Sequence, residues 1–389
     1  MKVLNSPPRA AAPWLAALTL ALAGTAGLRA QIAINSISTT LVTGTPTTTS
    51  ADNGAETVTF DNNQLEVSSF TTTSGATYFA NVAATKAIID RNPGGDTFAP
   101  NEYSQWYAYT GTSGSPTYEG TYQSNANTAL LGNNLYEGSD NLFTNDNGNT
   151  QSSNDVERLD FILNQSGESA TTGQAFAVFD RGNDSNHDSF KIAVITAVDA
   201  NGNPTAYGGN LITVTPAEYD TSLNPEANQN YTVFRYDDTA SPSNISDSDN
   251  VVTGASIAST DLGTQGVGGV VLTMAQLGIT SGTTIYGYSI MAADVYSTAT
   301  TAVTINATVS ADLTNYLNTS IYPTNTSDNT TTGDGNYGGI DLMAVNGIEF
   351  STTKVTPEPA AYGALFVGLS LAAFAFLRRR RPAVSALGA

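Results

Sequence analysis

Cysteine is absent from the 389 residues, and histidine occurs once, as His187. Disulfides, thiolate metal sites and cysteine nucleophiles are therefore excluded. One histidine without cysteine cannot supply the common zinc ligand sets. A Ser-His-Asp triad would have to use His187, and no G-x-S-x-G elbow accompanies it. Charge is scarce as well, at 12% of residues, about half the usual share. Positive charge is the scarcest, with 14 Lys and Arg against 34 Asp and Glu. Lys2, Arg9 and Arg29 lie near the start and Arg378–Arg381 near the end, which leaves seven basic residues between them against 33 acids, a central charge of about −26. Such a field repels phosphate backbones, which argues against nucleic acid as a partner, and it favours cations. Between residue 31 and about residue 354 no long stretch holds a 3.6-residue apolar period, so long helices are not expected there.

What the body has instead is runs of β-branched and aromatic residues separated by Asn, Asp, Gly and Pro clusters. Strands are expected over 57–60, 64–70, 105–110, 117–123, 158–163, 175–180, 190–199, 211–215, 231–236, 284–292 and 302–309. In FKIAVITAV, Ile192, Val194, Thr196 and Val198 alternate with Ala193, Ile195 and Ala197, so both faces of that strand suit burial. Asn201-Gly202 and Asn346-Gly347 are turn signals. The second is expected to close a hairpin between 340–345 and 348–350. Thr273–Leu277, with Thr273 as cap and Gly278 as stop, is the best helical turn. The expected fold class is all-β, a sandwich or jelly roll over residues 31–350, with a subdivision near 145–154 and a linker at 351–356.

The two ends read as targeting segments. MKVLNSPPRAAAPWLAALTLALAGTAGLRA has a basic start, a short apolar core and small residues before Gln31, the pattern of a signal peptide over 1–30 that a signal peptidase would remove. Residues 360–377 are apolar, and at about 1.5 Å each they span roughly 27 Å, enough for a single C-terminal transmembrane helix. Arg378, Arg379, Arg380 and Arg381 would stay on the cytoplasmic side, which places the body outside. Pro357-Glu358-Pro359 immediately precedes the span.

This order of triplet, apolar span and arginines resembles the PEP-CTERM sorting signal of bacterial surface proteins, over 357–381. The same tail is also labelled a C-terminal domain of ice-binding proteins, although no regularly spaced Thr-x-Thr ladder is present. The resemblance implies processing by an exosortase, a transient inner-membrane anchor, delivery to the cell surface or medium, and hosts that make exopolysaccharide. ERLDF, FAVFDRG, TIYGYS and GGIDL, between Asp155 and Phe350, are similar to segments of other surface proteins with this tail.

Candidate chemistry in the body is sparse. Asp184-x-Asn186-x-Asp188 matches the first half of a calcium loop, where oxygen ligands alternate. It departs from an EF-hand, because Ser189 stands at the sharp-turn glycine position and Ile195 at that of the bidentate glutamate. Asp237-Asp238, Asp247-Ser248-Asp249 and Asp334-x-Asn336 are similar partial sets. Solvated loops with Asx-turns are the competing reading of all four. Glu157 and Asp160 are available for paired-carboxylate hydrolysis, against a reading as surface charge. Tyr103, Trp106, Tyr107, Tyr109, Tyr118 and Tyr122 form an aromatic cluster that would stack on sugars or pack a core. The expectation is a non-enzymatic exported protein associating with exopolysaccharide or acting in adhesion, with Ca²⁺ as candidate cofactor. A carbohydrate-binding module or polysaccharide-active hydrolase is the alternative.

Overall fold

The computed structural model describes residues 33–51, 56–91, 103–109, 117–120, 129–139, 142–143, 156–182, 187–219, 223, 229–237, 257–292, 309–310 and 340–354. The chain divides into two compact units, Met1–Thr353 and Lys354–Ala389; the second lies outside the described residues apart from Lys354. The expected leader, the 145–154 break, the membrane span and the sorting signal lie outside them too. Among the described residues no helix is long and apolar enough to cross a membrane.

The described part is mostly strand, paired antiparallel except for β3 with β8. The first stretch holds β1 Ile34–Val42, β2 Thr47–Ala51, β3 Glu56–Phe60, β4 Gln64–Thr72, β5 Thr77–Ala83 and β6 Lys86–Arg91. Then come β7 Tyr103–Tyr109, β8 Thr117–Tyr118, β9 Glu137–Ser139, β10 Val156–Ile162, β11 Glu168–Ser169, β12 Gln174–Arg181 and β13 Phe190–Val198. The remainder are β14 Pro204–Val214, β15 Gln229–Asp237, β16 Ile257–Gln265, β17 Val267–Thr273, β18 Thr284–Ile285, β19 Gly287–Ala292, β20 Val309–Ser310 and β21 Ile348–Ser351.

One six-stranded sheet runs β1-β4-β5-β21-β12-β17. It curls until its first strand meets its last, where Ala33 bridges Val270. Its concave side gathers Ile34, Leu65, Val67, Phe70, Tyr78, Phe179, Ile348 and Phe350. Phe70 sits 4.8 Å from Phe350 and 6.1 Å from Phe179, centroid to centroid, both edge-to-face. Such pairs add about 0.5–1.5 kcal/mol each beyond area burial. The alternation in β4 changes phase, from Leu65 and Val67 to Phe70. The register against β1 steps at Ser38/Thr39, opposite Ser69 and Val67. That one-residue bulge at Ser68 returns Phe70 to the inside.

A second six-stranded sheet runs β20-β14-β13-β19-β10-β6. Leu159, Phe161, Ile192, Val194, Tyr288 and Ile290 from it share one core with Phe176, Val178, Val270 and Leu272 of the first sheet. β12 is buried along its whole length. Its odd residues Ala175, Ala177 and Phe179 face the curled core and its even residues Phe176 and Val178 the shared one. β13 is buried over Phe190–Ile195, as its two-sided pattern demands. The β13–β14 turn holds Gly202 at φ 83°, and Asp199 Oδ1 accepts from the backbone N–H groups of Asn201 and Asn203 at 2.8 Å each. Smaller sheets are β16-β15-β7-β9, β2-β3-β8 and β11-β18.

Two local expectations need correction. Asn346-Gly347 does not close a hairpin: Ala344–Gly347 is a buried 3-10 turn, and β21 pairs with β5 and β12 instead. The reason is tertiary. Asn346 Oδ1 accepts from Phe179 N–H at 2.6 Å and Asn346 Nδ2 donates to Phe179 O at 2.9 Å, so a side chain extends the β12 ladder. The stretch 284–292 is not one strand either. It breaks at Tyr286, so that β18 pairs with β11 while β19 joins the second sheet. Thr273–Leu277, by contrast, forms a single turn capped as expected, with Gln276 N–H donating to Thr273 Oγ1 at 3.3 Å and Gly278 at φ 69°.

Candidate functional site

β12 reads QAFAVFDR, an apolar run that ends in two charges. The chain then leaves the first sheet for β13 in the second. Asp180, wholly buried, sits where that crossing begins. Its Oδ2 accepts from the backbone N–H of Asp188 at 2.8 Å, at the far end of the crossing. Its Oδ1 accepts from Asp341 N–H at 2.9 Å, seven residues before β21. One carboxylate thus ties three segments together. Arg181, next in the strand, faces the curled core. It pairs with Asp341 Oδ2 at 2.7 Å, donates to Gln265 Oε1, and lies 5.5 Å from the Tyr231 ring.

His187 packs beside this knot. Its ring stacks on Tyr219 at 4.7 Å and 18°. The other side is fitted to Gly268, where a Cβ would fall 2.3 Å from His187 Cε1. Only glycine allows that approach. Nδ1 is 3.4 Å from Asp180 Oδ2 without hydrogen-bond alignment, and among the described residues neither ring nitrogen has a hydrogen-bond partner. Tyr219 donates from its hydroxyl to Asp188 O at 3.2 Å. Burial, and after it the Asp180 charge, pushes the Asp188 carboxyl up from the ordinary range. Burial, then Asp180 and Asp188, raises the Tyr219 hydroxyl.

A carboxylate beside a histidine is half of an acid–base unit. Here the ring is closed in by Tyr219 and Gly268, and only 4% of the residue is exposed. The arrangement holds a crossing between sheets in place. Of the calcium candidates Asp184, Asn186 and Asp188, the structure describes Asp188 alone. The nearby Asp180 oxygens each already take a backbone N–H. Among the described residues no group of three or more His, Cys, Asp or Glu is placed to hold a metal.

Asp160 is not surface charge. It is fully buried on β10, and its Oδ1 accepts from Arg158 Nε at 2.8 Å, Ser289 Oγ at 2.5 Å and Tyr207 OH at 3.3 Å. Glu157 neighbours it in β10. Tyr103, Trp106, Tyr107 and Tyr109 fall on β7, where Trp106 pairs with Phe234 and Ser139 and Tyr109 with Tyr231. Tyr118 is on β8 and Asp237 on β15. Tyr122, Asp238, Asp247, Asp249, Asp334, Asn336, Pro357, Glu358, Pro359 and Arg378–Arg381 lie outside the described residues.

Two further acids are buried at 0% exposure: Asp180, which opens the acidic loop read for calcium but was outside the candidate ligand set, and Glu349, which sequence reasoning passed over. The available signal was a carboxylate inside an apolar strand, in VFDRG and in NGIEF. No family model, curated protein or solved structure matches the chain.

Proposed function

We propose that the chain is an exported, non-enzymatic surface or matrix protein that carries a PEP-CTERM sorting signal and is processed by an exosortase. The observation that carries this reading is the ordered set Pro357-Glu358-Pro359, the apolar run 360–377 and Arg378–Arg381, together with the signal-peptide pattern over 1–30. The route has signal peptidase acting at the leader, a transient stop at the inner membrane, and release of the body to the surface or medium. The body, read as a β-sandwich of the two six-stranded sheets, would act in adhesion or by association with exopolysaccharide. Two features support a non-enzymatic body. The histidine is enclosed, and the buried acids Asp160 and Asp180 make their hydrogen bonds within the fold. Calcium at Asp184, Asn186 and Asp188 belongs to the same proposal, and calorimetric titration with Ca²⁺ reads it: no heat removes calcium from the scheme.

Mass spectrometry of the mature protein tests the route. Termini at Gln31 and near Pro357 are expected. A protein that retains Arg378–Arg381 after export would overturn processing. The second reading, a carbohydrate-binding module, is favoured by the concentration of Tyr103, Trp106, Tyr107 and Tyr109 on one strand. Binding to a glycan array that is lost on Trp106→Ala would select it.

A further inference from the structure

β21 reads Ile-Glu-Phe-Ser. Ile348 and Phe350 point into the curled core, so the two-residue period of a strand sets Glu349 on the opposite side, where it pairs across the ladder with Phe176 of β12 and Val82 of β5. No part of Glu349 is exposed. Asn81 Nδ2 of β5 donates to its Oε1 at 2.8 Å. Gln174 of β12 hydrogen-bonds it as well, and Gln174 Nε2 also donates to Glu168 Oε1 at 3.2 Å. The Glu168 carboxyl, from β11, hydrogen-bonds to Glu349. Glu349 Oε2 has no N–H or other donor group within reach.

Two carboxyl groups in contact are both acceptors when ionised, and like charges at that separation repel. A hydrogen bond between them needs a proton on one of them. Among the described residues, the groups that hydrogen-bond the pair from β5 and β12 are the neutral amides of Asn81 and Gln174. Both amides present N–H to a carboxyl oxygen, an orientation that suits an acid pair and not a bound metal ion. Glu349 is the member that holds the proton. It is the wholly buried one, whereas Glu168 is only half-buried and reaches solvent through which the proton exchanges.

We propose that Glu349 and Glu168 form a proton-sharing acid pair that clasps the last described strand, β21, to the β11–β18 ribbon, and that loss of the shared proton opens this clasp. The ribbon is short, with Glu168 opposite Ile285 and Ser169 opposite Thr284. It is continuous through Tyr286, whose N–H donates to Ile195 O at 2.9 Å, with the second sheet. The clasp therefore joins the strand that completes the first sheet to a ribbon that continues into β19, an inner strand of the second. Burial, and after it the contact with Glu168, pushes Glu349 up to about 8, which places the opening at mildly alkaline pH.

The test compares the full chain with Glu349→Gln and Glu168→Gln across the range from about pH 5 to about pH 9.5, reading Tm and hydrogen exchange corrected for its intrinsic pH dependence. In the wild type, Tm should fall as pH rises from about 4.5 toward about 8 and level off above it, and over the same interval exchange in the segments around 168–169 and 348–351 should accelerate at least about tenfold relative to the β13 core. Glu349→Gln keeps the shape and donates an N–H to Glu168, so both changes should vanish. Glu168→Gln removes the repelling charge and should move the transition to lower pH. If Glu349→Gln fails to fold, infrared spectra of the wild type decide: a protonated carboxyl band lost through about pH 8 is expected. Wild type and Glu349→Gln profiles that run parallel, or no protonated carboxyl at neutral pH, overturn the proposal.

Discussion

Asp180 and Glu349 lie on adjacent strands of one curled sheet, both without exposure, and the fold accommodates them in opposite ways. Asp180 has a backbone N–H on each oxygen and ties three segments by geometry alone. Glu349 has amide donors for one oxygen and another acid beside it. Burying a carboxylate is costly unless its lone pairs are satisfied. One site meets that requirement with fixed donors, the other with a proton. A contact made with a proton depends on pH.

The sharpest way to break this comparison is to truncate both acids. Asp180→Ala strands the N–H groups of Asp188 and Asp341, at about 1–3 kcal/mol for each buried donor, so urea unfolding should show a loss of about 2–6 kcal/mol. Glu349→Gln should cost less than about 1 kcal/mol below pH 5, where wild type and variant are both neutral at this position.

The next largest effect concerns pH. Glu349 holds its proton in the folded state up to about 8, while in the unfolded chain it releases it near 4.5. The folded state therefore binds more protons across that window, and stability should decline as pH rises from about 4.5 toward about 8. Asp188 is shifted in the same direction and adds a decline that begins nearer its ordinary 3.8. Asp188→Asn should remove that acidic portion and leave the Glu349 portion intact, which separates the two in Tm measured against pH.

Gly268→Ala places a methyl into the His187 ring and should cost about 2–3 kcal/mol by overpacking. His187→Ala in the same chain should recover part of that loss, and a double-mutant cycle would read the coupling. The smallest effect is expected at Tyr288, whose hydroxyl lies unpaired in the shared core while its ring stacks on Phe176 at 4.3 Å. Tyr288→Phe should leave stability unchanged or raise it by up to about 1 kcal/mol.

The all-β class was legible because apolar residues at spacing two stand out in β12 and β13. β17 was missed: VGGVVLT carries two glycines, which weaken any strand signal, yet Gly268 is required by the His187 ring. β1 and β2 were missed because Thr and Ser dominate them and β1 is largely exposed. Asn346-Gly347 misled because a strong local turn preference lost to hydrogen bonds with Phe179, 167 residues away. The same distance in sequence hides the site. The donors to Asp180 come from positions eight and 161 residues on, and Glu168 meets Glu349 only through the ladder that sets β21 beside β12. Asp188 could be singled out from spacing; its carboxylate neighbour Asp180 could not.

The sheet order has a consequence for biogenesis. β21 is late in the chain but sits in the middle of its sheet, between β5 and β12. Until Ile348–Ser351 are in place, the strands before them and β12 with β17 are two open half-sheets with unpaired edges, and contacts this far apart in sequence form slowly. The sheet closes only when this one short strand slots home.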